Sequence, residues 1–554
     1  MIMKKILSLI LLACFAVSCS DFLDTENLTK KDSQSFPKKP SDAEQVLTSV
    51  YHELLVRDQP LQSIFMVSEV MSDDRFGAGG SDDRMMQACA RYMKNSENMY
   101  ADAWSQGYRA IYRCNFLLAS IEQVAWENDA QKNRVKGEAL FMRAYFYFNL
   151  ARMFGNIPLI TEPSPQNNPQ AAPEEVYGQM ASDLKEAIAL LPSTTYQDMD
   201  KLTLGHATKW AAEGLMARVF LFYTGYYQKP ALPLAAKETG EVSKNEVIGW
   251  IDDCVLHSGH DLLKDFRNLW PYSFCKDYVY TKDNSLKWIG EEGANVEAVF
   301  SIRHSGNSWE GRNLDALCFG LRYQNNYEDC FPFGQGWGFG TVNPVTKDNW
   351  PDNDLRKKAS ILNVDDPSEG MAAYTDNGEN QVEDTHLFNK KYIPVNVKKL
   401  DGSGIESMWA QLYDLNFDFQ SCNIQDIMVI RFADILLMGA ELGGPNAQSY
   451  LDRVRNRVGL ASVPATLENI KNERHWELAF EGVRYYDLLR WHDEDLLTKN
   501  RTNITVRSLG VETKISIPFR KETGGFLQIP TSQIDLSGKV LKQNPGWEGS
   551  ESMY

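Results

Sequence analysis

From Ser41 onward, apolar positions recur at helical spacing along much of the chain. In VKGEALFMRAYFYFNLARMFG (135–155), Leu140, Ala144, Phe148 and Ala151 form one stripe, with Phe141 and Tyr145 beside it. That spacing predicts an amphipathic helix, which Gly155 stops and Asn156-Ile157-Pro158 leaves. A second helix is predicted from Pro173, suited to a first helical turn, with Glu174 and Glu175 favourable at its positive end. Val176, Tyr177, Met180, Leu184, Ile188 and Leu191 line it, and Pro192 ends it. A third covers 205–222, where Ala207, Ala211, Leu215 and Val219 follow at four-residue steps; its small residues let a partner helix approach closely. Further on, VIRFADILLMGAE (429–441) and AQSYLDRVRNRVG (447–459), broken by GGPN, predict a helical hairpin. A long helix is predicted over 467–491.

Between 260 and 425 the helical period fades, and Gly, Asn, Asp, Pro and aromatic residues become dense. Ala298-Val299-Phe300-Ser301-Ile302 predicts a short strand, and the Gly-rich segments predict loops. A region this long is too large for a linker; it predicts a loop-rich layer on a helical scaffold, where recognition residues tend to sit. The helix pairs, spaced near 34 residues, loosely match tetratricopeptide repeats. The expected fold is therefore mostly α. A tetratricopeptide-like scaffold (41–255 and 426–554) carries a loop-rich ligand-binding side with short strands (260–425), all as one domain over 41–554.

The N-terminus reads differently. Residues 1–18 have a basic start (Lys4, Lys5) and an apolar run from Ile6 to Val17, the pattern of a signal peptide too short to stay as a membrane span. AVSC, ending at Cys19, resembles a bacterial lipobox, and acylation there would anchor the chain by two or three acyl chains. Leu11-Leu12-Ala13-Cys14 is an alternative, as is simple cleavage without lipid; the polar tether over 19–40 favours Cys19. No later run of about 20 apolar residues occurs. The seven cysteines after Cys19 are widely spaced, with no CxxC; they read as buried small apolar residues, with a Cys318–Cys330 pair left open. The net charge of −17 and the lack of a Lys/Arg stripe disfavour nucleic acid and broad adsorption to anionic lipid.

Taken together, SCSDFLDTEN (18–27), GEALFMRAYFYFNLARMFGNIPLI (137–160), EEVYGQMASDLKEAIALLP (174–192), GHATKWAAEGLMARVFLF (205–222), VIRFADILLMGAE, YLDRVRNRVGL (450–460), ERHWELAFEGVRYYDLLRW (473–491) and LQIPTSQIDLSGKVLKQNPGW (527–547) resemble the SusD/RagB family of outer-membrane lipoproteins. The segments stand in family order from end to end. The resemblance implies a helical side packed against a ligand-binding side, non-catalytic capture of oligosaccharides or related nutrients, and a SusC-like TonB-dependent transporter as partner. No cofactor is expected, calcium aside. The loops at 73–84 and 260–350 depart from the family, which leaves the glycan open.

Aromatic rings give a sugar's CH-rich face a rigid contact at low entropic cost. Within the loop-rich region, Trp309, Tyr323 and Trp337 are the expected platform, with Trp288 and Arg322 among further candidates; packing in the loop core is the alternative for each ring. MSDDRFGAGGSDDR (71–84) offers Asp73, Asp74 and Arg75 for hydroxyls, or for calcium through clustered oxygens, against a solvated polar loop. In 473–490 the signs of Glu481, Arg484, Asp487 and Arg490 alternate at three-residue steps, as helix-surface ion pairs do. His257 and His260 lack a third metal ligand, and GxSxG, HExxH and P-loop motifs are absent. A surface glycosidase, or the same fold carrying peptide, are the competing functions.

Overall fold

The computed structural model describes residues 36–548 apart from 95–97, 164–166, 293–294, 307–308, 310, 323–329, 372–373, 375–380 and 416–417; Cys19 and Tyr323 lie outside the described residues. The helical part begins with α1 (Pro40–His52), α2 (Ile64–Met71) and α3 (Arg84–Ala90). It continues as α4 (Ala101–Ser120), α5 (Asp129–Phe154), α6 (Pro173–Leu190), α7 (Lys209–Tyr226) and α8 (Lys244–His257), each of these five packed on the next. Local chemistry sets their ends. The Asn128 side chain accepts from the Gln131 N–H to open α5, and Gly155, at φ +69°, closes it where a Cβ would strike the Phe526 ring. α7 starts later than the apolar pattern alone predicts, because Gly205 sits at φ +96° and Thr208 is the residue that caps the helix, accepting from the Ala211 N–H. The close approach expected of its small residues is present: a Cβ on Gly214 would meet Ile435 Cδ1 at 2.6 Å.

The loop-rich layer holds short helices, including α9 (Met408–Tyr413), and short strands paired two by two. The strand expected at 298–302 is β1 (Ala298–Ile302); it pairs antiparallel with β2 (Ile427–Arg431), Ile302 opposite Ile427 and Arg431 opposite Ala298. The helix predicted from residue 429 therefore begins only at α10 (Phe432–Leu442), since the run of Ile427 to Ile430 serves as β1's partner. α11 (Ala447–Arg457) completes the hairpin. The single helix predicted over 467–491 is two, α12 (Leu467–Leu478) and α13 (Arg484–Arg490), parted where Phe480 and Gly482 take φ +64° and +74°. Gly482 N–H then donates to Glu69 Oε1 of α2 at 2.8 Å, a contact a straight helix would not make. A short α14 (Thr531–Leu536) lies near the C-terminus, and one apolar cluster joins residues from Val50 to Leu541.

What locks the two parts together is charge buried between them. Arg431, at the end of β2, reaches Glu297 Oε2 at 2.8 Å, Glu477 Oε1 at 2.7 Å and Glu481 Oε1 at 2.9 Å. Glu477 is shared with Arg457 and, at 2.9 Å, with Arg356, which also holds Asp354 and Glu473; Lys391 holds Glu481 at 2.8 Å. Burial alone would raise the Glu477 carboxyl, yet Arg457, Arg431 and Arg356 hold it well below the ordinary range. A second set links Asp434 of α10 to Arg218 of α7 and Arg474 of α12, and Arg474 and Arg490 to Asp487. The alternating charges of 481–490 are thus buried between elements rather than paired along an exposed helix face: Glu481, Arg484, Asp487 and Arg490 all lie inside, where their partners come from other elements as well as their own.

Removing one member of such a network strands its partners without water, which typically costs about 3–5 kcal/mol. Arg431→Met is expected to lower stability by that amount in urea unfolding followed by circular dichroism. A loss below about 1 kcal/mol, the size of an exposed ion pair, would show the network to be dispensable.

Candidate functional site

A cavity of about 350 Å³ lies where the loop-rich layer meets the start of α7. The β1–β2 pairing builds its floor. Because Ile302 stands opposite Ile427, the chain leaving β1 (Arg303, His304) runs beside the chain entering β2 (Gln425, Asp426). Arg303 Nε meets Asp426 Oδ2 at 3.0 Å, and the His304 N–H donates to Asp426 Oδ1 at 3.1 Å. One wall is α9. Ser407 Oγ accepts from the Trp409 N–H to start it, and Trp409 and Tyr413, one turn apart, stack with centroids 6.4 Å apart and planes 3° apart. Trp288 stands edge-on to Trp409 at 5.3 Å; Trp409 is buried, while Tyr413 is 50% exposed at the rim. Tyr196, Met199 and Leu204 come from the opposite side.

The charges at this cleft are matched in pairs. Asp426 faces Arg303; burial pushes its carboxyl up to about 6, and Arg303 only partly offsets this. His206 Nδ1 lies 2.7 Å from Glu138 Oε2, and that hydrogen bond raises its pKa above the ordinary value. His260 and His304 are pushed down by burial, to about 4 and about 3, so both are neutral at pH 7. Their Nδ1 atoms face the carbonyls of Val296 and Gly311, at 2.8 and 3.2 Å, which places the ring hydrogen on Nδ1. Among the described side chains that line the cleft, Asp426 is the one carboxylate. Glycoside hydrolysis by the common route needs two. The arrangement suits an uncharged ligand that offers a flat apolar face and hydroxyls.

Of the ligand-binding candidates among the described residues, Trp288 lines this cleft, and Asp73, Asp74, Arg75, Trp309, Arg322 and Trp337 do not. Trp309 is 47% exposed, but Arg312 lies 3.3 Å over one of its faces. Trp337 is half-buried edge-on against Phe339, and its carbonyl accepts from Arg322, whose guanidinium also meets Asp83 at 3.2 Å. The turn there is a packing feature: at Gly340, φ +64°, a Cβ would meet Arg75 Nη1 at 2.7 Å. The expected platform of Trp309, Tyr323 and Trp337 is not assembled at this cleft by its described members, and Tyr323 lies outside the described residues. Trp309 carries Arg312 on one face and Trp337 packs against Phe339, and the rings that meet at the cleft are Trp288, Trp409 and Tyr413.

The 71–84 candidates stand in buried ion pairs rather than in a solvated loop. Asp73 pairs with Arg484 at 2.9 Å, Asp74 lies 2.8 Å from His475 Nε2, and Arg75 pairs with Glu69 at 2.6 Å, all three buried. Their charges hold α2 and the following loop to α12 and α13. Among the described residues, no group of three or more His, Cys, Asp or Glu side chains could hold a metal ion. The seven cysteines are buried, and no disulfide joins Cys318 to Cys330. Trp409 and Tyr413 were missed because ESMWAQLYD is too short for periodicity to register; two rings four residues apart inside a loop-rich stretch were the available signal.

Two family models match the chain: "Starch-binding associating with outer membrane" over residues 21–221 and the SusD family over residues 344–547. "SusD-like protein P2" of Formosa agariphila is 25% identical, across 98% of this chain and 100% of its own length. A solved "Laminarin binding SusD-like protein" is 27% identical with a TM-score of 0.72, covering 92% of this chain and 100% of that one. Surface glycan-binding protein A from Bacteroides thetaiotaomicron, solved in complex with laminarihexaose, shares the fold at 20% identity and a TM-score of 0.69, covering 91% and 99%. Matched on both sides of the loop-rich layer and aligned along nearly its whole length, the chain belongs to the SusD/RagB family, outer-membrane-associated proteins whose glycan-binding members are non-catalytic.

Proposed function

We propose that this is a surface glycan-binding lipoprotein, anchored through Cys19, that captures oligosaccharides in the Trp288–Trp409–Tyr413 cleft and passes them to a SusC-like TonB-dependent transporter. Residues 41–554 serve as one SusD-like domain in this reading, consistent with an apolar cluster that runs unbroken from Val50 to Leu541. The observation that carries the reading is the cleft itself: rings on its walls and matched charges on its floor, with a single carboxylate among the described side chains. Two relatives point the same way, one named for laminarin and one solved with laminarihexaose. Capture works by mass action. The site concentrates ligand above the pore, and moderate affinity lets it go.

Tyr413 is the safest probe, because it is exposed at the rim and carries little of the core. Tyr413→Ala is expected to weaken binding of neutral oligosaccharides about tenfold, equal to about 1.4 kcal/mol, with the melting temperature unchanged. Affinity electrophoresis against a glycan panel measures this, and unchanged mobility shifts would remove the cleft from the function. No new reducing ends should appear in the same incubations.

The Asp426 carboxyl predicts a pH dependence. As a charged acceptor it holds sugar hydroxyls best when ionised, and it takes up its proton near pH 6. Affinity should therefore fall as pH drops from 7 to 5, and the Asp426→Asn variant should show a flat profile over that range by titration calorimetry. A variant that keeps the wild-type slope would clear Asp426 of the effect.

A further inference from the structure

A second groove, of about 280 Å³, runs along α4 and shares no lining residue with the cleft. Trp104, Tyr108 and Tyr112 follow one another at four-residue steps, so they form one row on the helix surface, each about 6 Å of rise from the next. That step is close to the length of one pyranose ring. The row is held in place from below. Trp104 packs edge-on against Phe154 at 5.1 Å and lies 5.1 Å from the Tyr108 ring, and Tyr108 Oη donates to the Pro158 carbonyl at 2.9 Å. Tyr112, at the open end, is 54% exposed. Asn167 and Asn168 border the groove together with Gln533 of α14.

The composition of this groove is unusual for the chain that carries it. About a quarter of all residues are charged, yet among the described residues that line the groove none is. A protein segment docking on an acidic surface would find no ion pair here, and an anionic ligand would find no counter-charge. Amide side chains both donate and accept, as sugar hydroxyls do, and the exposed ring of Tyr112, backed by Tyr108 and the buried Trp104, supplies the flat apolar face. We infer that the α4 groove is a second, auxiliary site for a neutral oligosaccharide, with Tyr112 as its exposed stacking ring. The inference rests on the glycan-binding reading above. It adds that long glycan chains are held at two points, the groove raising the effective concentration of sugar at the cleft, while short oligosaccharides engage the cleft alone.

The test compares wild type, Tyr112→Ala, Tyr413→Ala and the double variant in affinity gels containing neutral polysaccharides, laminarin among them, and by calorimetry with their hexasaccharides. Expected for Tyr112→Ala is an unchanged hexasaccharide affinity at the cleft and a loss of about tenfold or more for the polysaccharide, the lower part of what bivalency commonly supplies. Residual polysaccharide retardation in Tyr413→Ala should vanish in the double variant. Polysaccharide retardation equal to wild type in Tyr112→Ala overturns the second site and leaves the cleft standing. A wild type retarded by no neutral glycan overturns both. Retention of an unrelated protein, lost on Tyr112→Ala while polysaccharide retardation stays at wild-type strength, reassigns the groove to a protein partner and overturns the proposal.

Discussion

The whole architecture turns on Arg431. Its guanidinium ends the short β2 strand and touches carboxylates from three places in the chain: Glu297 just ahead of β1, and Glu477 and Glu481 at and beyond the end of α12. Arginine suits this post because its planar fork offers five donors in fixed directions and stays charged. With every carboxylate met by a cation, the buried charges act as a directional clasp rather than as a source of net stability, since desolvation offsets much of their attraction. The clasp fixes where β2 ends, hence where the residues leading into it, Gln425 and Asp426, must stand.

Placement of the cleft follows from that. A two-stranded sheet is a weak structure alone, and β1–β2 persists because it is packed on α7 and secured by the clasp. From its open end emerge one arginine and one aspartate that cancel, and across from them a short helix delivers two stacked rings. Nothing in that geometry performs bond chemistry. It offers ring surface and hydrogen bonds.

The helical frame was legible because 3.6-residue periodicity over fifteen or more residues is hard to mistake, and Gly155 and Pro173 marked its punctuation. The errors share one cause: long-range partners overruled local pattern. Ile427 to Ile430 read as the start of a helix until β1, more than a hundred residues away, supplied hydrogen bonds. The stretch 467–491 read as continuous until Glu69 and Arg431 drew its middle apart. Asp73, Asp74 and Arg75 looked available to a ligand because their partners, Arg484, His475 and Glu69, include two residues some four hundred positions away. Among the rings, sequence could gather aromatic residues into one region but could not say which would be covered: Arg312 lies over Trp309, Phe339 abuts Trp337, and among the described rings of the chosen set Trp288 alone lines the cleft.

The pairing of Ile302 with Ile427 also has a meaning in time. Its two halves enclose the bulk of the loop-rich layer, and closing so long a loop carries an entropic cost that neighbouring helices, folding on local contacts, do not face. Local contacts thus favour early formation of the stacked helices from α4 to α8, and the cleft depends on the long-range β1–β2 closure.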